Sequence, residues 1–281
     1  MIGIVLLSSS SCVADDEPRA FEWPSDPEPL SDWDDIRMTA LGVKNRITHP
    51  RFRDLMVFMA MAASSAYLEQ NKTALADETQ ALRSPERDRF SSTVRPLGEV
   101  VVPMAALSTY LIGRMTGSER TRRTGLILTE SAAFTFATTE LLQYVFAEER
   151  PNDGGELRYF QGGGHGVSGH TSIAASMAVP MDRMFFRLAG DDSGAVRFGK
   201  IVGKALVYGA PVATGWSRMN DDKHYAWNVV LGLGVGYMMG DFVMGAHEPE
   251  AGTRAAPGRD WKVVPITGSR GGAGLAVRWT H

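Results

Sequence analysis

The chain has 281 residues, enough to bury a full core as one large domain or two small ones, and its composition leans toward one. A formal net charge of -3 and a pI near 6.1 exclude a general basic surface, so a nucleic-acid partner has no electrostatic support and any anion must be bound locally. The single cysteine, Cys12, excludes an internal disulfide framework and a thiolate metal cluster.

In chain order, a short apolar run, "MIGIVLLSSSS", precedes Cys12, and an acidic, proline-rich stretch unsuited to burial follows it. That order resembles a bacterial lipoprotein signal over 1–12, which implies a lipidated Cys12 and a tether over 13–36. It departs from the usual form in two ways. No Lys or Arg precedes the apolar run, and Ser9 stands where leucine is usual. A helical domain is expected over 37–248, with helices at 54–69, 98–115, 124–146, 171–188, 198–215 and 226–243. The first of these is followed by the charged segment "DETQALRSPERDRF" and carries a Met-rich run, "MVFMAMAA", expected to pack in the core. Frequent Gly, Ser, Thr and Ala suit close helix packing, so the fold class is an all-α helical bundle. Glu130, Glu140, Asp182, Arg183 and Asp241 interrupt the helices, and mean hydropathy is -0.13. The expectation is therefore a globular bundle held at the membrane surface by its N-terminal anchor, with an integral bundle as the alternative. A linker and a short C-terminal β-hairpin, at about 261–280, complete the chain over 249–281.

Three islands carry chemistry. "LLQYVFAEERPNDGG" reads as the end of a helix at Arg150, stopped by Pro151; "GVSGHT" lies at the mouth of the next helix; "GWSRMNDDKHYAWNVV" leads into the last. Arg150 and Arg218 offer permanently charged, bidentate donors to an oxyanion. Ser168, Gly169 and His170 sit where a helix's opening turn leaves N–H groups unpaired. His224 heads the last helix, where Nε2 is a candidate nucleophile toward phosphorus. Asn228 lies four residues on, on the same helical face, and is able to accept the imidazole Nδ1–H.

This layout resembles the type 2 phosphatidic acid phosphatase family, which shares its helical core with class A acid phosphatases and vanadium haloperoxidases. The family pattern is Lys, six residues, Arg-Pro; then Pro-Ser-Gly-His; then Ser-Arg, five residues, His, three residues, Asp. The matching positions are Gln143, Arg150 and Pro151; Val167, Ser168, Gly169 and His170; and Ser217, Arg218, His224 and Asn228. Similarity runs over roughly 54–246. The resemblance implies that Arg150, Arg218, Ser168 and Gly169, with Gln143 at the lysine position, bind the phosphoryl group. It implies that His224 is the nucleophile, that His170 is the acid and then the base, and that neither a metal nor another cofactor is needed. The substrate class would be a phosphomonoester or pyrophosphate, above all a lipid phosphate, and the location a bacterial envelope, periplasmic and membrane-anchored.

Three positions depart from the pattern. Gln143 replaces a cation by a neutral amide, Asn228 removes the negative charge behind His224, and Val167 replaces a stiffening proline. A weakly active or inactive anion-binding lipoprotein is therefore the second reading, and a vanadate-dependent haloperoxidase the third. Outside the islands, His165 lacks the companions of a metal ligand. Glu130 and Glu140 read as exposed or in helix contacts, and Asp221, Asp222 and Lys223 as a solvated loop.

Overall fold

The computed structural model describes residues 31–248, together with the backbone of two C-terminal strands, Asp260–Thr267 and Ala273–Thr280. Cys12, the signal-like segment and most of the tether lie outside the described residues.

The first helix, α1 (Asp32–Thr48), starts inside the stretch read as tether. Ser31 caps it by accepting the Asp34 N–H, and three aspartates in its first turn suit the positive end of the helix dipole. Its sequence is polar, and what fixes it is distant. Arg122 pairs with Asp32 and Asp35, and the Tyr110 hydroxyl donates to Asp32. After α2 (Phe52–Gln70), the charged segment forms two short helices, α3 (Lys72–Ala81) and α4 (Pro85–Val94). Ser84 caps α4, and Pro85 fits its first turn, where no N–H is needed. A π-turn (Leu97–Val101) leads into α5 (Val102–Thr116), which Gly117 ends at φ 66°, before Ser118 caps α6 (Glu119–Val145).

The expected run of helix to Arg150 stops earlier. Residues 146–148 leave as strand β1 (Phe146–Glu148), paired antiparallel with β2 (Leu157–Tyr159) around a 3₁₀ turn (Pro151–Asp153). The helix expected at 171–188 is also broken, into α7 (Gly169–Ser176), α8 (Ala178–Met181) and a π-turn (Asp182–Phe186). Pro180 supplies no N–H to the Ser176 carbonyl four residues back, which removes one rung of a continuous helix. Two long helices complete the bundle, α9 (Gly194–Asn220) and α10 (Ala226–His247). The C-terminal strands, β3 and β4, pair antiparallel from Asp260–Thr280 to Thr267–Ala273, where the hairpin was expected.

The core lies where α1, α5, α6, α8 and α10 meet, around Ile127, Leu128, Val235, Met239, Phe242 and Val243. Glu130 is buried there, bonded to Thr39 and His247, so it makes a helix contact, whereas Glu140 is exposed. Asp241 is likewise a buried hub, joining Arg46, Arg53 and Arg183. The Met-rich run of α2 is not core. Met56, Val57, Phe58 and Met59 are exposed and only Met61 is buried, because α2 packs mainly on α10 at the edge of the bundle.

One close approach positions the site. Gly232, Gly236 and Gly240 of α10 lie against the backbone carbonyls of Ser168, Ser172 and Ser176. A Cβ at Gly236 would sit 2.2 Å from the Ser172 oxygen, a backbone atom that cannot swing aside. Gly236→Val is expected to destabilise the fold by roughly 3 kcal/mol. Thermal unfolding of the detergent-solubilised protein checks this.

Candidate active site

The three islands meet at one end of the bundle. Arg150 leaves β1 in an extended conformation ahead of the Pro151 turn, and its carbonyl accepts the N–H groups of Asp153 and Gly155. Its buried Nε has no hydrogen-bond partner, and the guanidinium has no carboxylate partner among the described residues. Arg218, in the last turn of α9, is 8% exposed. Its Nε is also buried and unpartnered, and its nearest carboxylate, Asp221, stands off at 3.6 Å while accepting the Ser91 hydroxyl at 2.6 Å. Asp221 is therefore tied into the structure rather than part of a solvated loop. Two guanidiniums with so little compensation inside a protein have donors free for an anion.

Ser168 stands at the N-cap position of α7 without a side-chain bond to its amides, and the first amides of that helix, including Gly169, have no carbonyl within the helix to receive them. The Ser168 hydroxyl is fully buried against Thr171 Oγ1 at 2.8 Å, so the backbone amides are the freer donors. His170, next along, points Nε2 toward Glu99 at 3.8 Å. Glu99 and its neighbour Arg95, at 3.8 Å, were not singled out by the sequence. The only signal was a charged pair bracketing a proline and a glycine at the start of an apolar helix. That glycine, Gly98, lets the π-turn press onto the His170 carbonyl, where a Cβ would come within 2.0 Å.

His224 is 8% exposed, and its Nδ1 lies 3.1 Å from the His165 carbonyl oxygen. A carbonyl only accepts, so Nδ1 carries the hydrogen and the lone pair sits on Nε2. Burial, and then the charge of Arg218, holds this imidazole well below the usual histidine range, so it is neutral at physiological pH. His170 is lowered by burial and then Arg218, with Glu99 acting the other way. His165 is lowered by burial and then Arg150. These mutual influences put both arginines and the three histidines within electrostatic reach of one another.

One expected role is not what the geometry provides. Asn228 does not orient His224. Its Oδ1 accepts the Tyr225 N–H at 2.7 Å, and its Nδ2 donates to Glu148 Oε2 at 2.8 Å and to the Gly166 carbonyl at 3.0 Å. The carbonyl of His165 takes the orienting place. Gln143 commits one of its two amide N–H groups to the Val167 carbonyl at 2.8 Å, which braces the turn before α7. An apolar cavity of about 750 Å³ lies between α2, α6 and α10.

The fold and site together define a helical bundle that gathers two buried, unpartnered arginine Nε atoms and three histidines at one place. Residues 124–250, which carry all three islands, match the PAP2 superfamily. A solved structure with a similar fold is the transmembrane PAP2 type phosphatidylglycerolphosphate phosphatase from Bacillus subtilis. It has 18% identity and a TM-score of 0.49, covering 69% of this chain and 96% of that one. No curated protein matches the chain. The match supports a phosphatase-type function on a small-molecule or lipid phosphate.

Proposed function

We propose that the protein is a phosphatase that hydrolyses a phosphomonoester or pyrophosphate, chiefly of a lipid, through a phosphohistidine. The observation that carries this reading is the pair of buried, unpartnered Nε atoms of Arg150 and Arg218 beside an imidazole whose free nitrogen is Nε2. His224 Nε2 attacks phosphorus while the bond to the leaving oxygen breaks, and His170 gives that oxygen a proton. Arg150, Arg218 and the α7 amides hold the phosphoryl oxygens and the charge that builds on them. Water then attacks the phosphohistidine, His170 takes its proton, and phosphate leaves. The incoming phosphoryl charge offsets Arg218 and favours the protonated form of His170.

Membrane association fits the apolar surface. The segment Pro85–Thr116 and the helix Ala226–His247 are long and apolar enough to cross a membrane, although half of the latter's window is buried in the bundle. Met59 on α2, Met115 on α5 and Leu206 on α9 are exposed, at 63%, 85% and 66%. Such apolar flanks favour helices in contact with lipid over a globular bundle held by Cys12 alone, and they bring a lipid phosphate to the site.

Purified full-length protein should release inorganic phosphate from a phosphatidate or from p-nitrophenyl phosphate without added metal. Release equal to background would favour the anion-binding reading, and halide oxidation with vanadate the haloperoxidase one. The pH profile carries a further expectation. Protonation of His224 removes the nucleophile, and its lowered pKa places the acid limb of kcat/KM below the ordinary histidine range. Glu99 favours the protonated form of His170, so Glu99→Gln should move the basic limb of kcat toward acid.

A further inference from the structure

Glu148 is a carboxylate inside the protein that the reaction does not use. It lies on β1, two residues before Arg150, and is 1% exposed. Oε1 accepts from Lys72 Nζ of α3 at 2.7 Å and from Trp227 Nε1 at 3.3 Å, and Oε2 accepts from Asn228 Nδ2 at 2.8 Å. Its backbone carbonyl accepts the His165 N–H at 2.7 Å. Both chain segments that hold His224 therefore end on this residue. The His165–Gly166 segment, whose carbonyl orients the nucleophile, is bonded to the backbone of Glu148 and to Asn228. The Tyr225 N–H, which follows the nucleophile, is bonded to Asn228.

Residue 228 must donate on one side and accept on the other. Its nitrogen faces two acceptors, the Glu148 carboxylate and the Gly166 carbonyl, and its oxygen faces one donor. An ionised carboxylate there would set oxygen against both acceptors. We propose that Glu148 is the positioning residue for His224, the site's carboxylate having moved from α10 to β1, and that Asn228 is the partner this arrangement requires. The proposal rests on the reading of His224 as the nucleophile.

The groups facing the Glu148 carboxylate are Lys72, with Glu69 of α2 3.8 Å behind it, and the Tyr225 ring, which lies 5.1 Å from Lys72 Nζ. Burial raises Glu148 above the usual carboxylate range, against the pull of Lys72 and Asn228, and burial, then Glu148, raises the Tyr225 phenol.

The test is a cycle of Asn228→Asp, Glu148→Gln and the double variant, made in the full-length protein in detergent. Asn228→Asp restores the family's aspartate, yet it should lower kcat at least tenfold at pH 7.5 with little change in KM, and lower Tm by several degrees. Its deficit should shrink as pH falls, because two carboxyls sharing a proton recover the lost hydrogen bond. Glu148→Gln alone should also lose kcat, since Lys72 loses its counter-ion. The double variant keeps one carboxylate and one amide, relieves the opposition between residues 148 and 228 while leaving that with the Gly166 carbonyl, and should recover at least threefold in kcat over either single. Asn228→Asp as active as the wild type at pH 7.5, or a double variant no better than the worse single, would overturn the proposal. Nitrogen-15 shifts of histidine-labelled protein read the His224 tautomer in all four proteins without substrate. A wild type with no turnover would thus refute the enzymatic reading, while the pairing is judged by whether Asn228→Asp loses the Nδ1–H form and the double variant regains it.

Discussion

Replacing His224 with alanine is expected to lower turnover by at least about 10⁴-fold while leaving inorganic phosphate bound with similar affinity. The lone pair on Nε2 is the attacking group, and the phosphate ligands, Arg150, Arg218 and the α7 amides, come from other segments. His170→Ala should behave differently. As the proton donor it matters in proportion to how poorly the leaving oxygen departs unaided. An alkyl phosphate should lose about 10²- to 10⁴-fold, and p-nitrophenyl phosphate distinctly less. Steady-state rates on the two substrates, with phosphate affinity by calorimetry, separate the two histidines.

The second large effect belongs to the arginines. Arg218→Lys keeps a positive charge but loses the planar fork, and Arg218→Met loses both. Each should lower kcat/KM, the methionine variant by about 10³-fold or more, and both should weaken inorganic phosphate, unlike His224→Ala. The fold should survive, because Asp221 remains bonded to Ser91 and no other carboxylate is left without its cation. Arg150→Ala should resemble Arg218→Met, and the double variant should fall short of the product of the two, since both act on one oxyanion. Unchanged Tm alongside lost phosphate affinity is the pattern that identifies an anion site.

The order and spacing of the three islands were legible because each is a local chemical unit whose residues stay near one another in the fold. The long apolar helices and the C-terminal hairpin were legible from periodicity and turn residues. Helices α1, α3 and α4 were not, because their stability comes from partners far along the chain. Arg122 holds α1 through Asp32, Gln80 of α3 donates to the Met219 carbonyl, and Asn220 donates to Asp88 of α4. The Met-rich run of α2 looked like core because apolar composition does not distinguish burial in protein from a surface suited to lipid. The role of Asn228 was misread for a related reason. Motif spacing places a side chain, but which neighbour it bonds depends on residues the motif does not contain, here Glu148. Glu148 and Lys72 carry no local signal, being 76 residues apart in sequence.

The most direct test of a histidine nucleophile is to quench the enzyme during turnover of a substrate labelled in its phosphoryl group and ask where the label resides. The wild type should hold up to one phosphoryl group per chain, stable in alkali and lost in acid, on His224 Nε2, and His224→Ala should hold none. Active enzyme that never carries label, or a His224→Ala variant labelled like the wild type, would contradict the account.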